Sequence, residues 1–247
     1  MLVQELINYS KQYADNRKIE DIRVGIGYIV VLLNDGSCGT SFTFRGELGP
    51  KCGQLDEAGN LIGKKANELI EWAMDINLIK AGIGVAVINA VLQKYVKDYK
   101  QEDAIEVIDI KEGDTLGMIG YYKPVLEAKK ELAKNIYIFE RNITDHDLLY
   151  PDWSEDIYLP KCDVVIISGT TLINKTIDHI LEKCENAHEI AVIGPTTSPC
   201  PEVFKKHGVT LLASSLVKDS KKVLNIASQG GGGINIKDYV KQICYKL

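Results

Sequence analysis

Apolar positions change their spacing several times along this chain, and each change marks a different kind of element. Residues 5–15 are weakly amphipathic, with Leu6, Ile7 and Tyr13 as the apolar positions, and predict a short first helix. Residues 22–33 are rich in Val and Ile, Asn34-Asp35-Gly36 is a turn signal, and residues 40–45 alternate polar and aromatic side chains, so the segment predicts a β-hairpin. Residues 46–63 hold Gly46, Gly49, Gly53, Gly59, Gly63 and Pro50 and predict a long loop of the kind that often carries function. Residues 64–74 and 78–95 follow helical spacing, with Asp75 or Asn77 as a cap between them. Gly82 and Gly84 each weaken the second helix by about 1 kcal/mol relative to alanine, so they predict close packing against a strand or a second chain. Asn89 sits in its apolar part, where a buried amide has to be hydrogen-bonded; a core role and a site role both remain open for it.

Beyond Glu112-Gly113-Asp114 the pattern becomes strand, helix, strand. Short strands are expected at 116–119, 136–139, 164–167, 190–193 and 209–212, alternating with helices beginning near Pro124, Asn174, Pro201 and Asp219, and a last helix follows Gly230-Gly231-Gly232-Gly233. Strands alternating with helices at this spacing imply a parallel sheet with right-handed crossovers. The expected architecture is α/β, with an α+β domain over 1–112 followed by a Rossmann-like parallel-sheet domain over 113–247.

Chemistry is expected where these strands end, because free backbone N–H groups point outward at the carboxyl edge of such a sheet. Val164 to Ile167 is followed by Ser168-Gly169-Thr170-Thr171, and the next strand by Gly194-Pro195-Thr196-Thr197-Ser198-Pro199. Two hydroxyl-rich loops at successive strand ends predict a cleft of small donors, although Ser and Thr also serve simply as helix caps. Glu140 ends the second parallel strand, 20 residues past Gly120, where Rossmann proteins often hold a ribose hydroxyl. It could equally pair with Arg141 or Lys123. The G-x-G-x-x-G fingerprint is absent, and Tyr121, Tyr122 and Lys123 stand where a pyrophosphate would approach, so NAD binding of the usual kind is disfavoured. Asp145-His146-Asp147, with Tyr150 and Asp152 beyond, could serve a cation but has no fixed ligand spacing, and a solvated loop is the plainer reading. His179, His188 and His207 are isolated. Cys200, between prolines, could act as a thiolate or soft ligand, or be a buried thiol. No Ser-His-Asp order, H-E-x-x-H or P-loop occurs.

Composition narrows the partners. A net charge of −5 argues against a nucleic-acid or anionic-membrane surface as the main partner. The N-terminus lacks the basic-then-apolar layout of a signal peptide and no apolar run reaches roughly 18 residues, so a cytoplasmic protein is expected. The 6 cysteines are scattered without a C-x-x-C pair, which indicates neither a zinc knuckle nor a disulfide framework.

Six segments taken together resemble a known family: Gly25-Ile26-Gly27, residues 84–90, Met118-Ile119-Gly120-Tyr121, Ile138-Phe139-Glu140, residues 168–174 and residues 194–199. They are similar to the "putative heavy-metal chelation" proteins, and the resemblance covers nearly the whole chain. It implies an enolase-N-terminal-like first domain, a Rossmann-like second domain, and a site between them that a second subunit could complete in a homo-oligomer. It also implies Asn89, Glu140, Gly169, Thr170, Asn174, Gly194, Pro195 and Thr196 as site positions, with a transition metal or metal chelate as ligand. Two readings follow: a protein that binds a metal-chelating or anionic small molecule in an interdomain cleft, or an enzyme acting on a phosphorylated or nucleotide-like molecule with Glu140 as general acid/base. The first has Thr170, Asn174 and Thr196 donating hydrogen bonds and Glu140 accepting them. A scaffold subunit with a vestigial cleft is a weaker third.

Overall fold

The computed structural model describes residues 1–50, 53–141 and 148–247. The chain opens with α1 (Leu2–Lys11), whose Leu2, Val3, Leu6 and Ile7 are buried. Strands β1 (Ile19–Val24), β2 (Tyr28–Leu33) and β3 (Cys38–Phe42) follow as an antiparallel sheet in the order β1-β2-β3. The single strand expected over 22–33 is therefore two strands. The Gly25 N–H bonds the Tyr28 carbonyl at 3.0 Å and closes a tight turn between them. Glycine is needed there for contact as well, since a Cβ on Gly25 would stand 2.2 Å from the Ala227 carbonyl oxygen, far along the chain. No Asn, Asp or Pro marks the turn, which is why the Val/Ile-rich run conceals it.

Helix α3 (Leu78–Leu92) packs on this sheet, and α2 (Ala66–Ile70) packs on α3. Asn77 caps α3, its Oδ1 accepting the N–H groups of Ile79 at 2.9 Å and Lys80 at 3.2 Å. The close packing expected against a strand is met at Gly82, where a Cβ would stand 2.6 Å from Ile29 Cδ1 on β2; Gly84 packs instead on the helical turn after α2, where a Cβ would stand 2.1 Å from the Ala73 nitrogen.

The rest of the chain runs α4 (Ala104–Val107), β4 (Thr115–Ile119), α5 (Lys123–Lys129), β5 (Asn135–Glu140), β6 (Leu149–Pro151), α6 (Glu155–Tyr158), β7 (Val164–Ser168), α7 (Thr171–Asn174), α8 (Ile177–Glu182), β8 (Glu189–Ile193), α9 (Pro201–Lys206), β9 (Leu211–Val217), α10 (Ser220–Ser228), α11 (Gly233–Ile236) and β10 (Val240–Lys246). Its strands form one sheet in the order β10-β9-β8-β7-β4-β5-β6, parallel except for β10, which runs antiparallel to β9. From β4 the chain moves outward through β5 and β6, and from β7 it moves outward the other way through β8 and β9. The strand order thus reverses between β4 and β7, the place where open α/β sheets bind ligands.

Two elements differ from expectation. The C-terminal helix is only the single turn α11, and the residues after it form the edge strand β10. Val240, Ile243 and Cys244 are buried on that strand, yet their spacing of three and four fits a helix equally well, so periodicity misassigns them. The helix expected from Asn174 is broken at Lys175, which adopts φ 62°. Asn174 Oδ1 accepts both the N–H and the hydroxyl of Thr176, at 3.2 and 2.9 Å, and this local bonding competes with helix continuation.

One apolar core runs through both parts of the chain and includes Leu6, Ile83, Ile167 and Phe204. The stretch Leu78–Tyr95 has the length and apolarity of a membrane span, but most of it is buried against β2, β3, α2 and α7.

Candidate functional site

A cavity of about 390 Å³ opens at the carboxyl ends of β4, β5 and β7. Its floor is Ile119, Gly120, Phe139, Glu140, Thr170 and Asn174, and Phe44, just past β3, forms the opposite wall. A second chamber of about 270 Å³ shares Phe44, Gly120, Glu140 and Thr170 with the first and extends to Gly169 and the Gly194-Pro195-Thr196 turn. Together they make one cleft at the strand-order reversal, roofed from the three-stranded sheet by Phe42, Phe44 and Tyr28.

Most residues singled out in the sequence converge here, with distinct duties. Glu140 ends β5, and its Oε1 accepts the Tyr121 N–H at 2.6 Å, which fixes the carboxylate over the end of β4. Ser168 Oγ is the hub of the hydroxyl loop. Thr170 Oγ1 donates to it at 2.9 Å, the Thr170 N–H at 3.3 Å, and Tyr122 Oη lies 3.2 Å away. Burial raises the Tyr122 phenol pKa, so it remains a neutral donor. The two hydroxyl loops touch: the Gly169 N–H bonds the Ile193 carbonyl at 2.9 Å. Gly194 has φ 113°, a left-handed conformation, and a Cβ on it would stand 2.7 Å from Tyr122 Oη.

Thr196 borders the inner chamber, but its hydroxyl already accepts the Phe42 N–H at 3.0 Å. The Pro195 carbonyl accepts from Thr40 Oγ1 at 3.0 Å. Asn89 lines neither chamber. It is 6% exposed and donates both amide hydrogens, to the Thr40 carbonyl at 2.9 Å and the Thr196 carbonyl at 3.1 Å. These three residues tie α3, β3 and the turn after β8 into one frame, so they position the cleft wall from behind.

A charged rim also lines the larger chamber, of which only Asp152 is singled out in the sequence, as a candidate for cation binding. Asp152, Trp153, Glu155 and Asp156 line the larger chamber from β6 and α6, opposite Arg141 and His179. The Arg141 guanidinium lies 3.4 Å from Glu47 and 3.5 Å from Asp152, and 5.7 Å from the centre of the Phe44 ring. His179, expected as an isolated surface residue, is exposed and pairs with Asp156 at 2.8 Å. Within this rim Glu155 is the carboxyl shifted upward. Burial, then the like charge of Asp152, raises its carboxyl pKa from 4.5 to about 7, with Arg141 opposing and Asp156 adding to the shift. Periodicity does not mark Trp153, Glu155 and Asp156 as cleft residues, since a three-residue strand such as β6 has none to read.

No group of three or more His, Cys, Asp or Glu side chains able to hold a metal ion occurs among the described residues. Asp145-His146-Asp147 lies outside them. Cys200 is buried at the start of α9 and not part of the cleft lining; burial pushes its thiol up to about 12, which keeps it protonated at neutral pH.

Two family models match, over residues 7–92 and 103–246, and both carry the description "Putative heavy-metal chelation". The chain belongs to this family. An uncharacterized protein of Methanocaldococcus jannaschii is 32% identical over 238 residues, covering 91% of this chain and 90% of that one. A crystal structure from Pyrococcus horikoshii, described as a family member of unknown function, superposes with a TM-score of 0.88 at 29% identity and covers 100% of both chains. A second, from Desulfitobacterium hafniense, gives a TM-score of 0.83 at 21% identity over 100% of this chain and 97% of that one, and shows the shared fold. The heavy-metal chelation family thus accounts for the mixed α/β architecture of the whole chain.

Proposed function

We propose that this member of the heavy-metal chelation family binds a metal-chelating or anionic small molecule in the cleft between an N-terminal domain (1–112) and a Rossmann-like domain (113–247). The supporting observation is the lining of the cleft. Thr170, Asn174 and Glu140 surround one cavity at the strand-order reversal, where ligands of such sheets bind. No ready-made set of three metal-ligating side chains accompanies them among the described residues. A bare cation needs several protein donors at close range, whereas a metal carried by its own chelator needs hydrogen-bonding groups around the chelator. The family's description supplies the metal, and the cleft's hydroxyls and carboxylates suit the chelator.

The test is metal analysis of protein purified without added metal, followed by titration with iron, nickel, zinc and molybdate, each alone and as the citrate complex. A citrate complex that raises the melting temperature more than the free ion does is the expected result, weakened by Thr170→Val. Protection by phosphate compounds with no response to any metal or complex would overturn the reading.

A second reading, an enzyme acting on a phosphorylated or nucleotide-like molecule, is favoured by one observation. Glu140 and Glu155 line the same chamber, and the latter is tuned to about 7, suited to proton transfer at neutral pH. In this reading Glu140 is the general acid/base. Release of inorganic phosphate from a set of sugar and nucleoside phosphates would be abolished by Glu140→Gln with binding retained; unchanged release would remove Glu140 from that role.

A further inference from the structure

A groove of about 500 Å³ lies apart from the cleft, between α1 and the turn after α3 on one side and α9 with the end of β10 on the other. One wall is aromatic: the Tyr9 and Tyr13 ring centres are 5.4 Å apart, and those of Tyr13 and Tyr95 4.3 Å. Pro199 and Pro201 line the groove with them. Arg17 sits 5.3 Å from the centre of the Tyr95 ring and bonds its hydroxyl at 3.2 Å, which holds that ring in place. Tyr245 also lines the groove. It is 6% exposed, and its Oη has no hydrogen-bond partner. Burial, then the nearby charge of Glu202, raises the pKa of this phenol, which leaves it a donor with nothing to donate to. Lys97, Lys205 and Lys246 also line the groove, as do Asp98 and Glu202, and none of the three lysines forms an ion pair among the described residues.

We propose that this groove is a second small-molecule site, for a planar nitrogen-containing ring that carries an anionic group, the chemical class of mononucleotides. The flat ring lies on the tyrosines, where every such ring has a face to offer. The anion is met by the lysines, whose three cations outnumber the carboxylates of Asp98 and Glu202 in the same lining by one. Tyr245 Oη donates to a ring nitrogen, and the Glu202 carboxylate accepts from an exocyclic amino group such as that of adenine. The site is independent of the cleft, since the two share no lining residue.

Calorimetric titration of the full chain with AMP, adenosine and inorganic phosphate tests this. AMP is expected to bind once per chain, more tightly than adenosine or phosphate alone. Tyr13→Ala should weaken AMP by about tenfold or more, the range measured when a stacking aromatic is removed. Tyr245→Phe guards against a folding artefact, because it deletes an unpartnered hydroxyl and should leave the melting temperature unchanged while weakening AMP about threefold to tenfold. Lys205→Ala should weaken AMP and leave adenosine alone. Thr170→Val, in the cleft, should leave the affinity for AMP as it is. The proposal is overturned if AMP does not bind, if phosphate alone binds as well as AMP, or if Thr170→Val abolishes AMP binding while Tyr245→Phe does not; the last result would place the nucleotide in the cleft.

Discussion

A Cβ built on Gly169 would stand 2.4 Å from Thr197 Oγ1 and 2.6 Å from the Thr197 peptide nitrogen. The two hydroxyl loops of the cleft are therefore in backbone contact, and glycine is the side chain that permits it. Gly169→Ala should cost about 1–3 kcal/mol, because a backbone nitrogen yields less readily than a flexible side chain. Urea unfolding measures this. An unchanged midpoint would mean that the loops separate at no cost.

The meeting of these loops was readable from the sequence, since Ser168-Gly169-Thr170 and Gly194-Pro195-Thr196 end strands that had to be neighbours in a parallel sheet. The parallel strands other than β6 were readable as short apolar runs alternating with helical stretches. What escaped depended on contacts distant in sequence. Gly25 and Gly27 looked like part of a strand, yet each is required by backbone from residues 227–231. β10 was hidden because its buried positions fit two periodicities. Glu155 stands between Asp152 and Asp156 in the sequence, but its largest cause, burial, is visible only in the fold. Asn89 was recognised as a buried amide, but only the fold reveals that its partners are the Thr40 and Thr196 carbonyls.

Those partners make Asn89 a test of the frame behind the cleft. Asn89→Ala strands two buried carbonyls and opens a small cavity, which should cost about 2–4 kcal/mol. Asn89→Asp presents a carboxylate to the same two carbonyls, so its folded-state pKa should rise. It should then be tolerated better at pH 4 than at pH 8, where the ionised form is repelled. Thermal melts of both variants across that range decide the matter; equal loss at both pH values would show that the aspartate carboxyl has escaped to solvent.

Glu155 gives a pH dependence whose sign can be worked out. Its folded pKa, about 7, lies above the unfolded value near 4.5, so the folded state binds the proton more tightly. Stability contributed by the neutral carboxyl is complete below about 4.5 and is lost as the pH rises through about 7. Glu155→Gln should match the natural protein at pH 4 and exceed it by ~1 kcal/mol at pH 8, once the partial exposure of the carboxyl is discounted. Denaturant midpoints at the two pH values check this. A variant less stable at pH 8 would mean that the ionised carboxylate has a favourable partner, Arg141 being the nearest candidate.

Tyr122 and Gly194 should be coupled. Tyr122 Oη lies 3.1 Å from the Ile193 carbonyl and 3.2 Å from Ser168 Oγ, so Tyr122→Phe should cost about 1 kcal/mol through the lost hydrogen bond. Gly194→Ala meets two obstacles, φ 113° and a Cβ 2.7 Å from that same oxygen. Deleting the oxygen removes the second obstacle and leaves the first. The double variant should therefore be more stable than the sum of the single losses predicts, by about 1 kcal/mol, as a double-mutant cycle in urea would measure. Strict additivity would mean that backbone strain at Gly194 accounts for its whole cost, and that the phenol can move aside without penalty to the hydroxyl network it shares with Ser168 and Thr170.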